Sequence, residues 1–186
     1  MIAPVSPRIV AIDPGSTVSG VVVYDSVVSE PVVYAGVMRN DVLQAWLRYD
    51  RLPLGLVPMP PPLVGPHELA VEFPVAQGMP ASNELFATVE WIGVFRAAWG
   101  SRPFHHVARP DVKLHLCGQA RAKDANVRAA ILDRFGGKDA AVGRKATPGP
   151  LYEVASHAWA ALAVALTHAD RATLAVRAGQ LQEDVT

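Results

Sequence analysis

The chain has 186 residues, of which 51% are hydrophobic and 18% charged, and 17 basic and 17 acidic side chains give a formal net charge of zero. This composition predicts one domain, residues 1–186, with its own core, and it excludes a disordered chain. Because no apolar run reaches roughly 18–20 residues and no signal peptide is recognisable, we expect a cytoplasmic protein without a membrane span. Cys117 is the only cysteine, which excludes an intrachain disulfide and a thiolate zinc site.

The first part of the chain predicts an antiparallel meander followed by a helix. Runs rich in β-branched residues at 8–13, 20–24 and 31–38 are typical of strands, and a Pro-Gly turn follows the first run. Asn40 or Asp41 can cap a helix that continues to Leu47. The segment at about 51–66 is rich in proline and has no period, so it predicts an exposed loop within the domain.

The remainder predicts strands that alternate with helices. The strands are residues 67–73 and 104–107, and the helices begin near Ser82 or Asn83, at Pro110 and near Asp124 or Asn126. A polar, glycine-bearing segment at about 136–150 predicts a mobile loop. A long apolar helix should then cover residues 151–168 and continue or kink into 170–182. This order predicts an α/β fold with a mixed five-stranded sheet flanked by helices.

Several polar residues lie where folding alone would not require them. Asp13 and Glu72 each end an apolar strand, and His157 lies in the most apolar predicted helix, four residues after Glu153. Residues at i and i+4 share a helical face, so Glu153 and His157 can point to the same place. Carboxylates at the ends of neighbouring strands, together with ligands from a helix, suit a pair of divalent ions that hydrolyses a phosphodiester. Oxygen ligands favour Mg²⁺, whereas a histidine ligand is more typical of Mn²⁺.

Each of these residues also has a purely structural interpretation. Asp13 could hydrogen-bond the turn that follows it, and Glu72 could be a solvated strand end. His157 could be a satisfied histidine of the core. Their joint placement on predicted core elements favours the catalytic interpretation.

The charge distribution is more informative than the net charge. Residues 102–145 are locally basic, as expected for a surface that meets a phosphate backbone. The basic residues there are Arg102, Arg109, Lys113, Arg121, Lys123, Arg128, Arg134, Lys138, Arg144 and Lys145, and the acids are Asp111, Asp124, Asp133 and Asp139. On charge alone, a solvated helical surface is the slightly preferred interpretation.

Four segments, in this order, resemble the motifs of RuvC-type Holliday junction resolvases. Residues 9–20 (IVAIDPGSTVSG) are similar to the opening motif, and residues 69–72 (LAVE) to the second. Residues 112–124 (VKLHLCGQARAKD) resemble the stretch of helix, glycine and lysine, and residues 158–168 (AWAALAVALTH) the final helix. The segment 84–95 resembles phage-borne members more than cellular ones.

This resemblance implies an RNase H-like fold, a homodimer, dependence on Mg²⁺ or Mn²⁺ with two ions, and paired nicks in Holliday junctions or other branched DNA. By position, Asp13 and Glu72 match the first two acidic ligands. The family's two acidic positions in the final helix fall on His157 and Ala160. Histidine is compatible with the family, whereas Ala160 removes a ligand that Glu153, one helical turn before His157, could replace. Asp170 is a poorer candidate because it lies beyond the matched helix.

We predict that Arg121 and Lys123 contact phosphates, with Arg109 and Lys113 as second choices, and that Lys123 also stabilises charge on the reacting phosphate. Strand alternation points Phe73 away from the face that carries Glu72. Two other classes stay open. Ala160 motivates a branched-DNA-binding protein that has lost cleavage, and Asp-Pro-Gly-Ser near the start also resembles the phosphate loop of actin-like and sugar-kinase-like nucleotide-binding proteins.

Overall fold

The centre of the protein is a mixed five-stranded sheet, seen in a computed structural model that describes residues 7–50, 60–65, 67–75, 78 and 80–183. The strands are β1 (Arg8–Asp13), β2 (Val18–Tyr24), β3 (Val32–Arg39), β4 (His67–Phe73) and β5 (Phe104–Ala108). They lie in the order β3-β2-β1-β4-β5. The β3–β2 and β2–β1 pairs are antiparallel, and the β1–β4 and β4–β5 pairs are parallel. Short connections suffice for antiparallel strands, whereas parallel ones need longer crossovers. The predicted α/β class and strand number are confirmed.

Helices cover both faces of this sheet. They are α1 (Asn40–Tyr49), α2 (Asn83–Trp99), α3 (Arg109–Cys117), α4 (Asp124–Arg134), α5 (Lys138–Ala141) and α6 (Ala158–Glu183). One buried cluster joins α1 and α2 to the sheet, and a second joins α3, α4 and α6 to the opposite face. Within the described ranges, no helix is both long and apolar enough to cross a lipid bilayer.

Strand alternation decides which side chains meet which helices. In β1, Ile9 and Ala11 face α6, while Val10 and Ile12 face α1 and α2. This is the two-residue period of a strand that is buried on both sides. The same period in β4 directs Ala70 towards α6 and carries Glu72 to that face. Phe73 packs with the α1–α2 cluster, as its position predicts.

The start of the last helix differs from the prediction. Residues 151–157 form turns, and α6 begins only at Ala158 and then runs to Glu183 without a break. Ser156 has a φ of 48°, a left-handed conformation that a regular right-handed helix through this residue would not allow. Glu153 and His157 therefore do not share a helical face, because both precede α6.

The two predicted loops have different outcomes. Residues 51–59 and 66 of the proline-rich segment lie outside the described residues, whereas Leu63 is buried and its N–H bonds to the Asp50 carbonyl. In the segment predicted as a mobile loop, the chain forms α5 and a small hairpin of β6 (Gly143–Arg144) and β7 (Thr147–Pro148).

Candidate functional site

Asp13 and Glu72 come together at one edge of the sheet. Ile12 pairs with Val71 in the parallel β1–β4 ladder, so Asp13 and Glu72 follow side by side at the carboxyl ends of their strands. Alternation turns both side chains to the α6 face. Only 12% and 10% of the Asp13 and Glu72 side chains are exposed. They line a cavity of about 610 Å³, to which α2, α3, α4 and α6 also contribute.

The turn after Asp13 is fixed by a closed set of hydrogen bonds. The Ser19 hydroxyl donates to Asn40 Oδ1 at 2.7 Å, and Asn40 Nδ2 donates to the Gly15 carbonyl at 2.9 Å. The Gly15 N–H in turn donates to Ser19 Oγ at 3.3 Å. Asn40 is thus a buried anchor of the Pro-Gly turn and lies inside α1, where the sequence had suggested a helix cap. A satisfied buried network of this kind holds the Asp13 backbone in one position.

His157 reaches Asp13 from the end of the turn that precedes α6. Its Nδ1 lies 3.2 Å from Asp13 Oδ2, and 60% of the side chain is exposed to the cavity and solvent. The His157 carbonyl accepts hydrogen bonds from the N–H groups of Ala160 and Ala161, which makes it the first carbonyl of the helix ladder. The structure places His157 beside Asp13, but in the turn before α6, whereas the sequence predicted the histidine within the helix.

Burial determines the protonation behaviour of both carboxyl groups. Burial raises the pKa of Asp13 above its ordinary value, against the hydrogen bond and charge of His157. Burial also raises the pKa of Glu72, against the opposing charge of Arg109 and with a further increase from Asp13. The protein's own positive groups therefore do not fully offset the burial of the two carboxylate charges. A cation between the two groups would stabilise both charged forms.

Arg109 links Glu72 to a further acidic residue in the cavity wall. Its Nη1 donates to Glu72 Oε1 at 2.7 Å and its Nη2 to Asp124 Oδ2 at 2.8 Å. Lys113 Nζ lies 3.1 Å from the other Asp124 oxygen. Burial acts to raise the pKa of Asp124, but Lys113 and Arg109 together hold it below its ordinary value. Arg109 and Lys113, predicted as phosphate contacts, thus line the site as partners of its acids.

Sequence reasoning missed Asp124 and Arg128 as parts of this cavity. Asp124 had been recognised as a helix start, as an acid of the basic segment and as the end of the motif at 112–124, but not as a site residue. Arg128 lies one turn later, and its guanidinium carbon sits 4.6 Å from the centre of the Trp159 ring. A short basic and acidic pattern at the start of a helix was the available signal, but it does not reveal which cavity that helix will face.

Other predicted residues lie elsewhere. Arg121 and Lys123 are exposed in the turn between α3 and α4, and neither lines the cavity. Glu153 lines a different cavity beside β3, together with Tyr34 and Tyr152. Ala160 does line the Asp13 cavity but offers no ligand atom.

Asp170 is also placed away from the site. It accepts hydrogen bonds from Arg134 at 2.6 and 2.8 Å, and its Oδ2 lies 2.8 Å from His115 Nε2. Burial acts to raise the pKa of Asp170, but these partners hold it below its ordinary value. Asp170 therefore joins α6 to α3 and α4.

The sequence matches no protein-family model, and no curated protein matches it either. Two solved structures do match the fold. One is Thermus thermophilus RuvC in complex with Holliday junction substrate, with a TM-score of 0.62, 21% identity and coverage of 91% of this chain and 97% of that one. The other is Thermus thermophilus RuvC, with a TM-score of 0.56, 23% identity and coverage of 90% and 96%. The chain therefore has the fold of RuvC, with the mixed sheet and flanking helices of the RNase H-like class.

Proposed function

We propose that this chain is a metal-dependent endodeoxyribonuclease that nicks Holliday junctions or other branched DNA. The observation that carries the proposal is the convergence of two buried carboxylates, Asp13 and Glu72, at one edge of a RuvC-like sheet. One of the similar structures is a complex with Holliday junction substrate, which motivates branched DNA as the substrate class.

The donor set fits a hard divalent cation. Asp13 and Glu72 offer carboxylate oxygens, and His157 offers an imidazole nitrogen beside Asp13. Oxygen ligands suit Mg²⁺, and the mixed oxygen and nitrogen set suits Mn²⁺. The raised pKa values of both carboxyls support this assignment, because a cation would offset the burial of their charges. When bound, one or two such ions would activate water and stabilise the leaving oxygen.

The protein's own residues would orient the reaction. Asp13, held by the Pro-Gly turn network, is the fixed oxygen donor, and His157 and Glu72 flank it. Arg109 neutralises Glu72 and Asp124, and on substrate binding it could exchange these partners for a phosphate. Lys123 is the proposed contributor of positive charge to the reacting phosphate, and its exposed position leaves it accessible to DNA.

DNA would approach along the exposed basic surface next to the cavity. Arg121 and Lys123 project from the turn before α4, and Arg109, Lys113 and Arg128 line the adjacent wall. Phosphate contacts of this kind fix the register of a duplex and make binding depend steeply on salt. A homodimer that presents two such sites would account for paired nicks, and its presence is part of the proposal.

A second candidate function is binding of branched DNA without cleavage. It is favoured by Ala160, which lines the cavity without supplying a ligand, and by Glu153, which lines a different cavity. The site would then hold metal too weakly for hydrolysis while the basic surface still bound DNA.

One experiment tests both functions. A labelled four-way junction and a linear duplex of matched sequence are incubated with the protein in Mg²⁺, in Mn²⁺ and in chelator. Asp13→Asn is the test variant. Asp41→Asn, an exposed acid of α1 that pairs with Arg39, is the matched control.

We expect metal-dependent paired nicks in the junction alone, lost in Asp13→Asn and retained in Asp41→Asn. Junction binding without cleavage in either metal would favour the non-cleaving protein. Parental cleavage by Asp13→Asn would contradict the proposed site. Absence of both binding and cleavage, together with binding of ATP, would favour an actin-like or sugar-kinase-like nucleotide-binding protein.

A further inference from the structure

A second group of ligand-type side chains lies at the opposite end of the sheet. Glu68 is near the start of β4 and His105 is in β5. His168 is in α6, ten residues and so about 15 Å along the helix from its first residue, Ala158. Among the described residues, these three are the only such group whose ligand atoms all lie within 4.8 Å of one another. They are therefore separate from the Asp13 cavity.

The three side chains converge on one carboxylate oxygen. Glu68 Oε2 lies 2.7 Å from His168 Nε2 and 3.4 Å from His105 Nε2. The two imidazole rings are 4.3 Å apart between centroids, with their planes inclined by 37°. A carboxylate and two imidazoles thus face one small volume, and each comes from a different element of the fold.

His105 Nε2 has no hydrogen-bond partner in this cluster. The atom is inaccessible to solvent and makes no hydrogen bond, although Glu68 Oε2 lies 3.4 Å away. A buried nitrogen without a partner destabilises the folded state. The His105 side chain as a whole is 41% exposed, so the cluster lies close to the protein surface. Its unpaired nitrogen is therefore available to coordinate a ligand.

The donor chemistry selects the class of ion. Two imidazoles and one carboxylate form the three-residue set that Zn²⁺ uses when a water completes its tetrahedron. Mg²⁺ is disfavoured, because it prefers oxygen ligands and retains several waters. We propose that Glu68, His105 and His168 bind one Zn²⁺ ion, which ties α6 to β4 and β5. This site does not depend on the proposed nuclease function.

The alternative is a metal-free arrangement in which His168 and Glu68 simply hydrogen-bond and His105 stacks on His168. The test uses the full chain after removal of metal by chelator, followed by equilibrium dialysis against Zn²⁺ and by Co²⁺ absorption spectroscopy. The variants are His105→Gln and His168→Gln. His106→Gln is the matched control, because His106 is adjacent in β5 but stacks on Phe73 at 4.3 Å on the other face.

The Asp13→Asn variant is titrated in parallel, since Asp13 and His157 could also take up Zn²⁺. We expect Asp13→Asn and His106→Gln to retain one tightly bound Zn²⁺ per chain and the visible d–d bands of low-symmetry Co²⁺. His105→Gln and His168→Gln should weaken Zn²⁺ binding by at least about tenfold and lose those bands.

Thermal unfolding tests whether Zn²⁺ binds the folded protein and whether the variants still fold. In the Asp13→Asn background, which removes the other candidate Zn²⁺ site, Zn²⁺ should raise the melting temperature when His105 is present and leave it unchanged in the double variant with His105→Gln, because only binding to the folded state stabilises it. In chelator, His105→Gln should unfold with the parent's cooperativity, since its Nε2 makes no hydrogen bond. The proposal is overturned if the parent takes up no Zn²⁺ in dialysis, or if both cluster variants bind it as the parent does.

Discussion

Gly20 and His157 are in direct backbone contact, and a Cβ atom at Gly20 would lie 2.3 Å from the His157 carbonyl oxygen. Gly20 is also the antiparallel partner of Asp13 in the β1–β2 ladder. The absence of a side chain at this one position therefore lets the start of α6 rest on the sheet beside Asp13. The contact between His157 and Asp13 depends on this approach.

Gly20→Ala should displace His157 from Asp13. Because the clashing atoms are backbone atoms of the α6 start, the helix itself must shift, at a cost of about 1–3 kcal/mol in the free energy of unfolding. Junction cleavage should fall at least about tenfold, since reacting groups tolerate little misplacement. Urea unfolding and the cleavage assay measure the two effects. Gly93→Ala, at an exposed helical position with open space around it, is the control and should stabilise by up to about 1 kcal/mol.

Asp13→Asn should raise the melting temperature of the metal-free protein at neutral pH. Burial raises the folded-state pKa of Asp13 above the unfolded value, so the folded state binds the proton more tightly. Stability therefore decreases as pH rises from the unfolded pKa, about 3.9, to the raised folded value, and the destabilisation is complete above it. Melting in chelator across this range measures the difference, which should vanish at low pH.

The same variant should lose stabilisation by metal. Mg²⁺ or Mn²⁺ should raise the melting temperature of the parent and leave that of Asp13→Asn nearly unchanged. The difference in melting temperature between the parent and Asp13→Asn is measured both with metal and in chelator. An equal difference under the two conditions would contradict the assignment of Asp13 as a ligand.

Asp170→Asn should destabilise the fold without affecting cleavage. Burial acts to raise the pKa of Asp170, but Arg134 and His115 hold it below the unfolded value, so its contribution is present above the unfolded pKa and is lost as pH falls through the folded one. We expect a loss of about 1–2 kcal/mol at neutral pH and a flatter acid-unfolding curve. Asp133→Asn, an exposed acid of α4, serves as control. A strong loss of metal-dependent cleavage would instead make Asp170 a ligand.

Ala160→Asp should restore an acidic group to the cavity. Residue 160 lines the cavity in the first turn of α6, so the new carboxylate would face Asp13 and Glu72. The concentration of Mg²⁺ needed for half-maximal cleavage should fall by about tenfold or more, because added ligand charge tightens a site for hard cations. In chelator the same variant should melt lower than the parent, because the carboxylates repel one another.

Two substitutions complete the Ala160→Asp test. Ala97→Asp, at an exposed position of α2, controls for the added charge. Glu153→Gln should retain parental cleavage, since Glu153 lines a different cavity. An unchanged metal requirement in Ala160→Asp would show that residue 160 does not reach the ion.

The strands and the two carboxylates were predictable because their signals are local. Runs of β-branched residues fix β1 to β5, and the period of two then determines that Asp13 and Glu72 face one helix while Phe73 faces the other side. Parallel strands end at the same edge, which brings the acids together without any knowledge of the rest of the chain.

The start of α6 and the partners of Arg109 were not predictable from such signals. Apolar residues such as Leu151 and Val154 pack into the core from turns, and hydropathy does not distinguish this from a helix. The left-handed conformation of Ser156 likewise has no signature in composition. The bridge from Glu72 through Arg109 to Asp124 joins residues from β4, α3 and α4, so it emerges only when those elements have packed.

The Arg109 bridge has a consequence for the order of assembly. A guanidinium already occupies the space beside Glu72, so part of the negative charge in the cavity is balanced by the chain itself before any ion arrives. Small zinc domains behave differently, because their ligands repel one another until metal holds them and the apo chain stays unfolded. We therefore expect this chain to fold before it binds metal. Under the proposed metal dependence, we expect the protein to fold in a metal-poor setting, to remain inert there, and to become active once the ion is supplied.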